Sequence, residues 1–577
     1  MLSLTRFLAP HRRAIVLVLV LALAQSLGNL WLPRLTSDIV DRGIVRGDTR
    51  AILEVGGLML LMSLIATLCA IAGSYYSAKV ATGFGRNLRG AIFSRAERLS
   101  VHQFEGFGAA SLVTRTTNDT TQVQQMIIMM LTMVITAPMM AIGGVILALS
   151  QDAQLAWVLI AVMPVMAAVF AFIMRGAVPL STAMQGKIDR LTLVFSEGLS
   201  GVRVIRAFDR GARQRERFDH ANLDLTDTAI ALNRLIAVLM PALILMLNIT
   251  SLAIIWVGSH RIDAGVMQVG AMFASLQYAM QILFAVFMVT AMFVMLPRAS
   301  ASAARISEVL DVQPEIADPA APSGPARATG RGHVEFRNVT FQYPGAEEPA
   351  LTGISFTAQP GEITAIVGGT GSGKSTLAGL IPRFYDANDG QVLLDGVDVR
   401  EMTLAALRSR IGFVPQKAVL FTGTVAGNIR YGNEHASDDQ VRHAATVAQA
   451  VDFIAAMPEQ FAASISQGGI NLSGGQKQRL AIARAIVRRP DVYVFDDSFS
   501  ALDFTTDAKL RAALRDETAH ATVFIVAQRI STVITADRIV VLENGRVAGI
   551  GTHAALMQTS DVYREIVASQ VSLDEVA

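Results

Sequence analysis

The sequence predicts two architectures on one chain: an all-α domain of six transmembrane helices with long cytoplasmic helical extensions, followed by an α/β domain built on a phosphate-binding loop. Three observations predict it. Of 577 residues, 52% are hydrophobic and 17% charged, which is too apolar for an ordinary soluble enzyme and places the excess in a bilayer. Six uncharged apolar stretches of spanning length occupy the N-terminal half. Residues 368–375 read Gly-Gly-Thr-Gly-Ser-Gly-Lys-Ser, which fits G-x-x-x-x-G-K-[ST] between an apolar strand-like run and a helix-like one. A net charge of +2 gives no case for nucleic acid, and the single cysteine, Cys69, lies in an apolar run with no disulfide partner.

The spans are expected at 14–33, 55–78, 126–149, 155–174, 235–259 and 269–297. Buried helices of a soluble core rarely run past about 18 residues without a charge, so a membrane explains them better. The basic residues before the first span resemble the start of a signal peptide, but the run has no small-residue cleavage site behind it and reads as an uncleaved helix. The N-terminal arm and the connections after spans two and four carry 19 Lys and Arg, against five in the other connections. The long basic loops are therefore expected in the cytoplasm, at the cell (inner) membrane, with the phosphate-loop domain on the same side. Loops 79–125 and 175–234 mix apolar and polar residues steadily, as continuous helices would, and hairpins of that length reach roughly 35 Å beyond the bilayer.

No Asp, Glu, Lys, Arg or His falls within the six spans, which disfavours proton or ion coupling. The spans do hold Gln25, Asn29, Asn248, Thr250, Gln277 and Gln281, with methionines that include Met129, Met133, Met140, Met246, Met280, Met288 and Met292. Soft methionines and a few amides suit a cavity for varied lipophilic cargo. Ordinary helix packing accounts for any single one of them at least as well. Residues 311–332, with Pro314, Pro319, Pro322 and Pro325, read as a linker. The division is then 1–310 membrane domain, 311–332 linker and 333–577 nucleotide domain.

In the phosphate loop, Gly368, Gly371 and Gly373 let the backbone close on phosphate oxygens, Lys374 supplies a point charge, and the Ser375 hydroxyl, followed by Thr376, is placed for Mg²⁺. Downstream come Phe-Val-Pro-Gln416, then Leu472-Ser473-Gly474-Gly475-Gln476, then an apolar strand ending in Asp496, and Ser500-Ala501-Leu502-Asp503. In this order and spacing the chain resembles ATP-binding cassette (ABC) proteins, and with six spans ahead it resembles an exporter half-transporter of that family over nearly its whole length. The resemblance implies ATP and Mg²⁺ as cofactors. It implies that Tyr343 stacks on adenine, Lys374 and Ser375 hold phosphate and metal, Gln416 senses the metal, and Asp496 holds it through water. Ser473, Gly475 and Gln476 would contact ATP on an opposite subunit, Asp503 would lie at the same interface, and 104–119 and 197–218 would carry coupling helices.

Two departures stand out. The family's catalytic Glu position is Asp497, one methylene shorter, and its switch His position is Gln528, which carries no imidazolium charge. Loss of positioned acid–base help costs about 10² to 10⁴ in rate. Gln467 also stands where the family often has Glu. Together these resemble the degenerate-site subunit of heterodimeric exporters, which implies a second half-transporter chain as partner. The expected function is ATP-driven export of lipophilic drugs or lipids. An importer on the same scaffold, of siderophore type, would want an extra binding or reductase domain, and a nucleotide-gated channel or regulator would want a regulatory insertion or intramembrane charges.

Overall fold

A computed structural model describes residues 2–322 and 332–574, so the expected linker is described only in part and Pro325 lies outside the described residues. The chain forms two compact units. The first comprises the residues up to Glu97 together with Gly108–Val312, and the second comprises Arg98–Phe107 together with the chain from Gln313 onward.

The first unit is helical throughout. Among the described residues six helices are long and apolar enough to cross a membrane; five contain an expected span whole, and the sixth, Val269–Val289, covers the first part of the span expected at 269–297. Helices Thr49–Ala96 and Ala153–Ser200 are each 48 residues long. At 1.5 Å per residue each reaches about 72 Å, more than twice a hydrocarbon core of about 30 Å, so the extensions continue the spans without a break. Proline distorts one helix: Pro138 removes an N–H from the ladder, and the next turn, Met139–Gly143, is π-helical. The unit's core gathers Leu30, Ala148, Leu155, Ile254, Tyr278 and Ile282 from five different helices. Polar ties cross between spans there: Tyr278 donates to the Leu30 carbonyl at 3.2 Å and Gln281 Nε2 to the Asn29 carbonyl at 3.0 Å. Farther along, Asp119 accepts from Ser302 Oγ at 2.9 Å and Arg305 Nε at 2.8 Å.

The second unit holds a six-stranded sheet. Its strands run in the order Arg546–Gly551, Arg538–Glu543, Ile363–Gly368, Thr522–Val526, Val492–Asp496 and Ile411–Val414, and all but the first pairing are parallel. The inner strands are buried on both faces and read as continuous apolar runs, as parallel strands covered by helices do. A four-stranded antiparallel sheet, led by Val334–Phe341 between Leu351–Ala358 and Asp389–Leu394, packs its Phe336, Phe356 and Leu394 into the same layer of core.

Residues 98–107, which the sequence reading groups with the membrane domain, belong to this second unit. Ser100 Oγ donates to Glu315 at 2.6 Å and Gln103 Nε2 to the Gln313 carbonyl at 2.8 Å, which fixes the short helix Val101–Phe107 there.

Candidate functional site

The three parallel strands Ile363–Gly368, Thr522–Val526 and Val492–Asp496 end side by side, and the chemistry gathers beyond their carboxyl ends, where open parallel sheets place ligands. The loop after the first strand turns through Gly371 at φ +81° and Gly373 at φ +94°. A side chain at 373 would also meet the Ala350 carbonyl at 2.7 Å, so glycine is required there on both counts. Lys374 follows at the start of helix Lys374–Leu380 and is 8% exposed, and its ammonium donates to the carbonyls of Gly368 at 3.0 Å and Gly369 at 2.7 Å. Burial pulls the Lys374 ammonium below its usual range, against the opposing pull of the Asp497 and Asp496 carboxylates.

Ser375 donates to Asp496 Oδ1 at 2.9 Å. Burial raises the Asp496 carboxyl, and the neighbouring Asp497 charge adds to the rise. Asp497 sits on a fixed left-handed backbone at φ +44°, its N–H donating to the Val526 carbonyl at 3.0 Å and its carbonyl accepting from Ser500 Oγ at 2.9 Å. One of its carboxylate oxygens, Oδ2, accepts from Gln416 Nε2 at 3.2 Å and from Gln528 Nε2 at 3.1 Å. The Asp497 carboxyl is also raised, by burial first, although the bonds from Gln416 and Ser500 and the charges of Lys374 and Arg529 act the other way.

These groups surround a cleft of about 380 Å³ whose lining includes Tyr343, Gly371, Gly373, Lys374, Ser375, Thr376, Gln416, Asp497 and Gln528. Gly368 and Asp496 adjoin it through their bonds to Lys374 and Ser375. Tyr343 shares a hydrogen bond with Thr376 Oγ1 at 2.9 Å, and its ring meets Phe341 and Tyr385 edge to face. Ser473, Gly475, Gln476 and Asp503 do not line this cleft. Ser473 and Gln476 form a reciprocal capping box at the start of helix Gly474–Ile486, and Asp503 caps helix Phe504–Glu517 through Thr506 N–H at 2.9 Å. Those backbone bonds hold the Asp503 carboxyl below the usual range.

The sequence reading missed Ala350, Thr370 and Val526 in the lining and Tyr385 behind Tyr343. Val526 was findable as the end of an apolar strand, where it stands directly beside Asp496 in the parallel register. Tyr385, whose phenol burial pushes up to about 12, comes from a turn with no local signal.

Residues 15–286 match the family described as ABC transporter transmembrane region, and residues 351–500 the family described as ABC transporter. An uncharacterised ABC transporter ATP-binding protein of Mycobacterium tuberculosis is 44% identical over 570 residues, covering 98% of this chain and 97% of its own length. The chain belongs to the ABC transporter family. An ATP-dependent lipid A-core flippase of Thiobacillus denitrificans is 34% identical over 571 residues, covering 98% of this chain and 97% of its own. The structure of a bacterial Atm1-family ABC exporter with ATP bound matches with a TM-score of 0.82 at 26% identity, over 97% of this chain and 98% of that one. This ABC exporter half-transporter is a multi-pass membrane protein with a cytoplasmic ATP-binding domain.

The cleft fits the nucleotide its family implies. A buried ammonium satisfied only by loop carbonyls, two glycines with left-handed backbone and a buried Ser372 hydroxyl with no protein partner form an anion cradle. The Ser375 and Asp496 oxygens, 2.9 Å apart, are hard donors of the kind Mg²⁺ takes.

Proposed function

We propose that this chain is one half of a heterodimeric, ATP-driven exporter of lipophilic compounds, lipids or drugs, whose own ATP site cleaves slowly and whose intact signature completes a competent site on the partner. The observation that carries the proposal is the engagement of Asp497. Its short carboxylate is held by the amides of Gln416 and Gln528 on a backbone bonded at both ends, so the backbone has little freedom to move the carboxylate forward. The neutral Gln528 amide donates a hydrogen bond but supplies no titratable imidazole.

The other assignments follow the same reading. Tyr343 takes the adenine, Lys374 with the backbone of Gly368, Gly371 and Gly373 takes the phosphates, and Ser375, Asp496 and Gln416 take Mg²⁺, with Thr376 fixing Tyr343. Bound Mg²⁺ supplies neutralising charge to the phosphates. Ser473, Gly475, Gln476 and Asp503 are assigned to the facing site, which accords with their standing outside this chain's cleft. The membrane domain ends near 310, a linker follows to 332, and the nucleotide domain occupies 333–577.

A lipophilic cargo is favoured by a groove of about 420 Å³ in the first unit, whose lining includes Met140, Met240, Met280, Phe284 and Phe287 with Gln281. The flippase relative adds weight to a lipid-like substrate. The deciding measurement is ATP hydrolysis by the purified chain alone and with its partner. Little activity alone and a large gain in the pair support the proposal, and robust hydrolysis by the chain alone that Lys374→Ala abolishes refutes it.

A further inference from the structure

Strand Thr522–Val526 leaves the sheet at Ala527, whose N–H makes a last bond to the Ile366 carbonyl at 3.2 Å. The following residues, 528–532, carry the Gln528 side chain to Asp497 and must therefore be held by something other than a strand ladder. Two anchors come from the helix Phe504–Glu517: the Arg511 guanidinium donates to the Ser531 carbonyl at 3.2 Å, and Arg529 lies 5.3 Å over the ring of Phe504. The third is Gln570 on the C-terminal helix Asp561–Asp574. Its Nε2 donates to the Gln528 carbonyl at 2.7 Å, and its Oε1 accepts the Ile530 N–H at 2.8 Å. The carboxamide thus stands in for a peptide unit of a neighbouring strand, offering one donor and one acceptor to the two groups the loop exposes. Ile566 and Val567, four and three residues earlier on the same helix face, pack against the core cluster that contains Ile530 and Val533, so the amide is presented from an anchored element.

We propose that Gln570 is a positioning residue for the ATP site: by fixing the backbone on either side of Arg529 it sets where the Gln528 amide stands relative to Asp497. The role is the same whether the site cleaves quickly or slowly, so it does not depend on the heterodimer reading. It also makes the C-terminal helix part of the catalytic apparatus, without contact with nucleotide.

The test is single-turnover cleavage of ATP at this chain's own site, by the full-length chain in bilayers with the ATP site of any different partner chain silenced, comparing Gln570→Met, Gln528→Ala and the double variant. Methionine keeps the length and helix preference of glutamine and removes both hydrogen bonds. The expected result is a three- to tenfold (about) lower cleavage rate for Gln570→Met with the ATP KM unchanged, and no further loss when the substitution is added to Gln528→Ala. Equal fold losses in both backgrounds, a KM that rises in parallel with the loss of rate, or an unchanged cleavage rate would each overturn the proposal. The unfolding midpoint, measured alongside, identifies an effect on the helix as a whole: a fall in the midpoint with the same loss in both backgrounds also counts against it.

Discussion

At the scale of single residues, the site is a collection of charges held out of water. Asp496 and Asp497 both have raised carboxyl values and Lys374 a lowered one, so in each case burial disfavours the charged form of the ligand-free protein. For a carboxyl whose folded value lies above the ordinary 3.8, the favourable contribution is complete at low pH and is lost as pH rises through the folded value. Asp496→Asn is therefore expected to raise the unfolding midpoint of the nucleotide-free protein at about pH 8, by about 1–3 °C, and to make no such difference near pH 4. The same substitution should weaken Mg²⁺-dependent ATP binding, so thermal shifts with and without MgATP separate the two effects. At the neighbouring position the expectation is kinetic. Asp497→Glu combined with Gln528→His should raise single-turnover cleavage at this chain's site by about 10²-fold or more, since positioned acid–base groups are worth about that much. Rapid-quench measurement on a heterodimer silenced at the partner's site reads this directly, and an unchanged rate would assign the slowness to some other feature of the cleft.

At the scale of elements, the strongest local devices lie at helix ends. Asp152 begins helix Ala153–Ser200, its Oδ1 accepting from Gln154 N–H at 2.9 Å and Leu155 N–H at 3.0 Å, while its Oδ2 accepts from Arg261 Nη2 at 2.7 Å, so one carboxylate caps one span and ties it to another. Asp152→Asn retains a capping oxygen and loses the ion pair, whereas Asp152→Ala loses both and leaves Arg261 without that partner. Thermal unfolding in detergent should therefore rank wild type above Asn above Ala, with the step to Ala including about 1 kcal/mol for the cap. The contrast between devices that the sequence shows and those it hides is clear here. Asp152 before an apolar run is a recognisable helix start, as is Ser473 three residues ahead of Gln476. The phosphate loop was legible because its parts are contiguous and carry their own glycine requirement. The convergence of Gln416, Asp497 and Gln528 was legible only through the order of family motifs, because they come from three separate segments after three different strands. The grouping of 98–107 with the second unit had no local signal, and only the family's coupling helix in 104–119 bore on it. It depends on pairings such as Ser100 with Glu315, across hundreds of residues, and a short segment of mixed polarity gives no periodic signal of where it packs.

At the scale of the whole molecule, the question is what drives transport and which cargo is moved. None of the six expected spans contains Asp, Glu, Lys, Arg or His, and polar side chains in the first unit's core tie helices together, Tyr278 on the Leu30 carbonyl and Gln281 Nε2 on the Asn29 carbonyl, while Thr250 bonds to the Met246 carbonyl of its own helix. The packing and the cargo readings offered for these residues meet at Gln281. Its Nε2 is committed to packing, its Oε1 is buried without a partner among the described residues, and the residue lines the same apolar groove as Met140, Met280 and Phe284. A groove with so little polarity binds chiefly through apolar area, at about 25 cal/mol per Å² buried, and selects weakly among compounds of similar size. A single uncommitted amide oxygen would favour a cargo that brings a hydrogen-bond donor. The expected spans offer no carboxylate or histidine for a proton relay, and the driver in the proposed reading is ATP. Inside-out vesicles carrying the proposed heterodimer should therefore accumulate neutral or weakly cationic lipophilic compounds when ATP is supplied, and keep doing so when an uncoupler collapses the proton gradient at constant ATP. Gln281→Leu should lower uptake of donor-bearing compounds by several-fold relative to donor-free ones, as loss of one buried hydrogen bond would (about 0.5–1.5 kcal/mol), while leaving ATP-driven uptake of the latter intact. Uptake that stops with the gradient while ATP is held constant would show that ATP is not the sole driver.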